Sequence, residues 1–109
     1  MSLFKTSLDK NWNLSVQQQG TAPKKVHIRY FNDQGFPTKL GVSLDAFQFE
    51  FLSHLKSGFV CGLHVVTLPD RCILFKESNM GYISGCTVPV NVVNKIPNLY
   101  IEVAKYLNE

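Results

Sequence analysis

The chain has 109 residues, of which 45% are hydrophobic and 17% charged. This length and balance are typical of one folded domain and exclude disordered and fibrous chains. The longest apolar run, residues 59–66, is interrupted by glycine and histidine and is too short to span a bilayer. We therefore expect a single domain over residues 1–109 and no membrane partner.

The N-terminus and the cysteines bear on the cellular compartment. The opening residues lack the charged segment, apolar stretch and small-residue cleavage site of a secretory signal. Cys61, Cys72 and Cys86 form an odd set without paired spacing, which favours a reducing compartment and free buried thiols. We expect an intracellular protein without disulfides, in the cytoplasm of a bacterium or host cell, or in the nucleus of a eukaryote.

The net charge of +3 is unevenly distributed along the chain. Residues 1–42 contain six Lys or Arg and two Asp, whereas residues 43–109 contain five basic and six acidic side chains. A basic half beside a balanced half predicts one basic surface, which is typical of a protein that binds a polyanion. Statistical scatter in a short chain is the alternative explanation.

Alternating apolar and polar residues predict a meander of antiparallel strands in the first half of the chain. In residues 12–19 the apolar row includes Trp12, which we expect in the core. Residues 24–31 and 36–44 alternate in the same way. The exposed row of the second of these strands is basic and aromatic, and it comprises Lys25, His27, Arg29 and Phe31.

A helix and then a second set of elements follow these strands. Ser43 or Asp45 can cap a helix that runs to Lys56 and is ended by Gly58. Phe49 lies off the apolar stripe of this helix and is either an exposed or edge-of-core aromatic residue or a contact with a partner subunit. Strands at 59–68, 71–77 and 82–88 and a helix with an apolar stripe between residues 96 and 107 complete the chain.

The sequence offers little for catalysis or metal binding. Cys61 and His64, with two further cysteines downstream, superficially resemble a zinc ligand set, but within one strand they would point to opposite faces. The sequence contains no glycine-flanked serine, no His-x-Glu with Cys-x-x-Cys, and no phosphate-binding glycine loop. We expect no enzymatic activity, no catalytic residues, no metal and no cofactor.

The basic and aromatic strand face suits single-stranded nucleic acid. Cations neutralise phosphates, Gln and Ser side chains hydrogen-bond exposed base edges, and aromatic rings stack on bases. A solvated strand face with incidental lysines is the alternative. The candidate DNA-binding residues are Lys24, Lys25, His27, Arg29, Phe31, Phe36 and Lys39.

Two segments of the chain resemble the single-stranded-DNA-binding domain of the transcriptional positive cofactor four family. They are residues 26–31 (VHIRYF) and 35–44 (GFPTKLGVSL), and an aromatic-rich helix follows them. The resemblance covers about residues 12–57, and the stretch from Lys39 to Leu44 is its most specific part. The small size and the lack of a serine-rich acidic tail favour a prokaryotic or viral member.

The resemblance implies a whirly-like α+β fold, in which a curved antiparallel sheet is followed by a helix, helices pair two copies, and DNA follows basic channels. It places Arg29 on the family's strand arginine, Phe31 on a base-stacking aromatic position and Lys39 on a basic position before the glycine. Leu40 stands where the family usually has a second basic residue. Residues 58–109 are then an additional C-terminal β segment and helix, or a degenerate second unit.

From these features we expect a homodimeric DNA-binding protein that binds single-stranded DNA with little sequence specificity. By holding melted strands, it would assist DNA replication, DNA recombination or transcription, as a transcription coactivator does. We expect polymerases or other replication and transcription proteins as further partners. Two alternatives stay open: a protein-interaction or transcription-regulator module that retains the fold, and an RNA-binding protein.

Overall fold

The computed structural model describes residues 2–77, 80–81 and 83–108 as an α+β fold of two antiparallel sheets with a few helices. The first sheet holds four strands in chain order: β1 (Ser2–Ser7), β2 (Trp12–Gln17), β3 (Lys25–Tyr30) and β4 (Val42–Leu44). Helix α1 (Ala46–Ser53) follows it. The second sheet holds β5 (Gly58–Val60), β6 (Leu63–Thr67), β7 (Arg71–Glu77) and β8 (Ile83–Pro89), and is followed by α2 (Val90–Val93) and α3 (Ile96–Leu107).

The predicted alternation of the first two strands is confirmed, with slightly shorter ends. β2 and β3 pair in continuous register from Trp12 opposite Tyr30 to Gln17 opposite Lys25. Trp12 is 2% exposed and lies in the core, as predicted. Strand β1 was not expected from the sequence, and it pairs with β2 as the edge of this sheet.

Two predicted strands are interrupted by turns. The strand expected over residues 36–44 shrinks to β4, because Asn32 and Gly35 close a loop before it and Pro37 has no N–H to donate to a ladder. The strand expected over residues 59–68 is a hairpin of β5 and β6. Cys61 and Gly62 form its turn, with positive φ angles of 47° and 82°. The chain therefore reverses direction at a point where the sequence predicted one continuous strand.

Helix α1 begins at the cap that the sequence suggested. Asp45 accepts a hydrogen bond from the Gln48 backbone N–H at 2.8 Å, and the Gln48 side chain accepts one from the Asp45 N–H at 3.0 Å. This capping box satisfies two N–H groups that a helix start leaves unpaired. The helix ends at Ser53, earlier than the expected Lys56.

The prediction that Phe49 lies at the surface or contacts a partner subunit is wrong. Its side chain is completely buried, and its ring stacks on Tyr100 of α3 with the ring centroids 5.9 Å apart. Phe49 belongs to the contact between α1 and α3, so the chain itself covers the ring. Pro97 lies in the first turn of α3, where its missing N–H costs no hydrogen bond.

Both sheets contribute to one hydrophobic core. The buried cluster includes Leu14 and Ile28 of the first sheet, Leu63 and Leu74 of the second, and Val103 of α3. Each sheet follows the same order of four consecutive antiparallel strands and then helical residues.

Within the described ranges, no helix has the length and apolar character needed to cross a membrane. Tyr82, the predicted start of the last strand, lies outside the described residues.

The three thiols differ in exposure, which corrects the expectation that all three are buried. Cys61 is exposed in the β5–β6 turn, while Cys72 and Cys86 are buried. Burial raises the pKa of the Cys72 thiol, and burial with the neighbouring Cys72 raises the pKa of Cys86 to about 11. The two buried thiols are therefore protonated at neutral pH and poor nucleophiles.

We expect an aromatic disulfide reagent at about pH 8 to modify one thiol per chain quickly, and the other two only after unfolding. Cys61→Ser should remove the fast reaction and leave the slow one unchanged. Three fast thiols in the native protein would contradict the burial of Cys72 and Cys86.

Candidate nucleic-acid interface

The outer face of the first sheet collects polar and basic side chains. Ser15 of β2 lies opposite His27 of β3, and Lys5 of β1 and Ser43 of β4 extend the same row across the sheet. We call this surface the basic face; its other members, from the neighbouring rows, are Asn13, Gln17, Lys25 and Arg29.

The apolar rows of β2 and β3 fix the direction of the basic face. Val16, Val26 and Ile28 are completely buried against the core. Because successive side chains of a strand point to opposite sides, this burial turns the residues between them outward. A slip of one residue would exchange the two rows, so the basic face is as strongly determined as the core.

His27 lies at the centre of the basic face. Its Nδ1 atom is 2.9 Å from the Ser43 hydroxyl and 3.3 Å from an Arg29 guanidinium nitrogen. Because a guanidinium can only donate, Nδ1 acts as an acceptor and the neutral ring carries its proton on Nε2. Burial lowers the pKa of His27, and the charges of Arg29, Lys25 and Lys76 lower it further.

Lys76 is a member of this site that the sequence did not reveal. It belongs to β7 of the second sheet, and its ammonium donates to the Ser43 backbone carbonyl at 2.5 Å. Burial and the charge of Lys25 lower the pKa of Lys76, while Asp45 raises it. One signal was available: alternation places Lys76 in the buried row with Cys72 and Leu74, an unusual position for an unpaired lysine.

A groove of about 670 Å³ runs over the basic face. The groove is lined by Lys25, His27 and Arg29 and by the glutamines of residues 17–19. Charged and amide groups therefore converge on one open depression, which Ala22 and Pro23 also line. Such a depression can hold a flexible anionic chain more readily than a compact apolar ligand.

Phe31 lies beside the same cations, as the sequence predicted. It lines a smaller hollow together with Lys5, Asn13 and Arg29. The Phe31 backbone N–H donates to the Asn11 carbonyl at 2.9 Å, and the Asn11 side chain donates to the Phe31 carbonyl at 2.8 Å. These two bonds hold the residue at the end of β3, so its ring is presented next to Arg29.

Two predicted lysines do not lie in the basic face. The Lys24 ammonium donates to the Tyr106 carbonyl of α3 at 2.9 Å, because Lys24 falls on the side of β3 that carries Val26. The Lys39 ammonium sits 4.6 Å from the centre of the Tyr30 ring, which belongs to that same side. Both ammonium groups therefore contact other parts of the fold, Lys24 a carbonyl of α3 and Lys39 an aromatic ring of β3.

Phe36 is presented by a structured loop rather than by a strand. The Asn32 side chain accepts hydrogen bonds from the Gln34 and Phe36 N–H groups at 3.0 and 2.9 Å, and Gly35 takes the left-handed conformation that this loop needs. The Phe36 ring is 64% exposed. It is available to a ligand at the end of β3, outside the groove.

No group of three or more His, Cys, Asp or Glu side chains that could hold a metal ion occurs among residues 2–77, 80–81 and 83–108. The side chains that line the site include cationic groups, amides and aromatic rings.

The lowered pKa of His27 predicts a pH-dependent stability. As the pH falls through the ordinary value of 6.5, the unfolded chain binds a proton that the folded chain resists, so the folded state loses stability. We expect the melting temperature to drop by a few degrees between about pH 7.5 and about 5.5. His27→Gln should reduce this drop, and His54→Gln, a matched change at the exposed end of α1, should not. An equal drop in all three proteins would contradict the role of His27.

Comparisons with known proteins add no neighbour to this picture: no family model matches the chain, and neither does any curated protein or solved structure. The assignment of the basic face as a candidate site therefore rests on its geometry alone.

Proposed function

We propose that the basic face binds single-stranded DNA with little sequence preference. The observation that carries the proposal is the convergence of basic side chains from two sheets: the cations Lys25 and Arg29 with the neutral His27 from β3, and the cation Lys76 from β7. Among the described residues, no carboxylate forms an ion pair with Lys25, Arg29 or Lys76. Positive charge is gathered here, and Asp45 offsets only part of the effect of burial and Lys25 on Lys76.

A phosphate chain complements this arrangement. Burial lowers the pKa values of His27 and Lys76, and repulsion from the neighbouring cations lowers them further. A phosphate between them relieves the repulsion, and binding releases condensed counterions from the nucleic acid. Both effects favour a polyanion over a neutral ligand.

The uncharged groups of the face favour a single strand over a duplex. Asn13 and Gln17 can hydrogen-bond base edges, and Phe31 can stack on a base next to the phosphate held by Arg29. In a duplex, base faces are stacked on one another and unavailable to such a ring. These contacts recognise features common to all bases, so we expect weak sequence preference.

The biological setting follows from the resemblance to the transcriptional positive cofactor four family. We include in the proposal the curved whirly-like sheet that the resemblance implies, and a role in holding melted strands during replication, recombination or transcription. Such a role requires no catalytic residue, and it is compatible with an intracellular location and with polymerases or regulators as further partners.

Removal of two cations should weaken binding to a labelled single strand. We expect Lys25→Ala with Arg29→Ala to reduce the affinity about tenfold or more at about 100 mM salt, and to lower the salt slope by about 1.4, since each lost phosphate contact removes about 0.7. Fluorescence anisotropy with single-stranded and duplex oligonucleotides of equal length measures both. The matched control is Lys56→Ala with Lys105→Ala, which removes the same charge from exposed positions in the helical part of the fold.

The outcome of this experiment decides between ligands. Equal weakening by both double variants would mean that only net charge matters and that the basic face is not the site. Affinity that does not change with salt would contradict phosphate binding altogether. Stronger competition by RNA than by DNA of the same sequence would make RNA the ligand, since phosphate and stacking contacts do not distinguish the sugars.

Phe31 tests the contact to bases separately from the contact to phosphates. We expect Phe31→Ala to weaken binding by about 1–3 kcal/mol per stacked base, with the salt slope unchanged. Phe47→Ala is the matched control, because the Phe47 ring is 69% exposed on α1. A loss in the Phe47 variant as large as that in the Phe31 variant would place the aromatic contact elsewhere.

A further inference from the structure

The outer face of the second sheet is apolar, in contrast to that of the first. Strand register brings together the outward side chains of β5 to β8, and four large hydrophobic residues among them are exposed. Phe59 and Ile83 are the most open, at 58% and 67% exposure. We call this surface the apolar face; its members are Phe59, His64, Val66, Ile73, Phe75 and Ile83.

The two phenylalanine rings of the apolar face lie against neighbouring residues of the sheet. Phe75 lies opposite Gly85 in the β7–β8 ladder, and a side-chain carbon placed on Gly85 would come 3.4 Å from the Phe75 ring. The ring therefore lies across β8 in the space that Gly85 leaves. Phe59 lies against His64 with the ring centroids 4.3 Å apart. An apolar sheet face is the kind of surface that a second sheet covers in a β-sandwich.

The charges of the apolar face argue against nucleic acid. Arg71 contacts Asp70 at 3.0 Å and His64 contacts Glu77 at 3.3 Å, so each potential cation already has a carboxylate beside it. In the part of the chain that the structure describes, the basic face has no such pairs. A phosphate chain would meet acidic groups here, which leaves a protein surface as the better occupant.

We propose that the apolar face joins two copies of this chain, packed sheet against sheet about a two-fold axis perpendicular to β7. Arg71 and Glu77 stand in the outward row at opposite ends of β7, with Ile73 and Phe75 between them. An axis perpendicular to the strand makes the two β7 strands antiparallel and sets Arg71 of one copy near Glu77 of the other, and Ile73 near Phe75. An axis parallel to the strand would bring like charges together.

The size of the face sets the strength of this association. Four strands about 4.8 Å apart and about six residues long cover on the order of 400 Å² per copy before the relief of side chains is counted. A standard stable interface buries about 800 Å² per partner. The dimer is therefore weak and depends on concentration. Apolar burial supplies its affinity, and the rim charges select its orientation.

Charge exchange tests both the surface and the orientation. Sedimentation velocity between about 5 and 500 µM should show a concentration-dependent dimer for the unaltered chain. Arg71→Glu alone and Glu77→Arg alone should each weaken the dimer about tenfold, because each places like charges together. The double variant should restore the dimer, and a mixture of the two single variants should form heterodimers. Phe59→Glu should weaken the dimer at least as much as either single charge variant.

A control on the helices separates this surface from others. Ile101→Glu changes a side chain that is 74% exposed on α3, outside the apolar face, and should leave the dimer intact. Circular dichroism establishes that each variant is folded. A chain that stays monomeric at the highest concentration, a dimer lost in Ile101→Glu but kept in Phe59→Glu, or no rescue by the charge exchange would overturn the proposal. Binding of single-stranded DNA is measured on the same variants and is expected to be unchanged, so the two proposals fail separately.

Discussion

The pairing of β2 with β3 is the constraint on which the rest of the structure depends. Leu14, Val16, Val26 and Ile28 are completely buried, and their burial fixes both the register and the direction of the two strands. The hydrophobic effect thus positions His27 and Arg29 indirectly, since nothing in the polar row would hold it in place alone. A cluster of repelling cations is tolerated because the free energy of folding comes from the other side of the sheet.

The prediction from sequence succeeded where period-two alternation was strong and failed where a few residues reversed the chain. β2 and β3 were predicted closely because apolar and polar residues alternate without interruption. The β5–β6 hairpin was missed because Cys61 adopts a positive φ angle, which its residue type does not signal. Phe49 was misplaced because helical spacing alone cannot show that α3, more than forty residues later in the chain, covers that side of α1. Lys76 joined the site through a contact between sheets; its place in the buried row of β7 marks it as an unusual lysine, but does not identify Ser43 as its partner.

The two sheets share an order of elements but differ in surface chemistry. In the first, the outward residues of β3 are basic, and no carboxylate among the described residues forms an ion pair with them; in the second, the outward residues of β7 are apolar between charges that are already paired. One architecture therefore presents a surface suited to a polyanion and another suited to protein. The inward rows of both strands are similar, because both must fill a single core.

Both sides of strand β7 contribute to a surface or to the core. Its even-numbered residues face the core and end with Lys76 at the Ser43 carbonyl, while its odd-numbered residues form the centre of the apolar face. An insertion or deletion of one residue in this strand would move the lysine outward and a phenylalanine inward at the same time. Over evolutionary time β7 can therefore change by substitution, whereas a change in its length would alter both surfaces in one step.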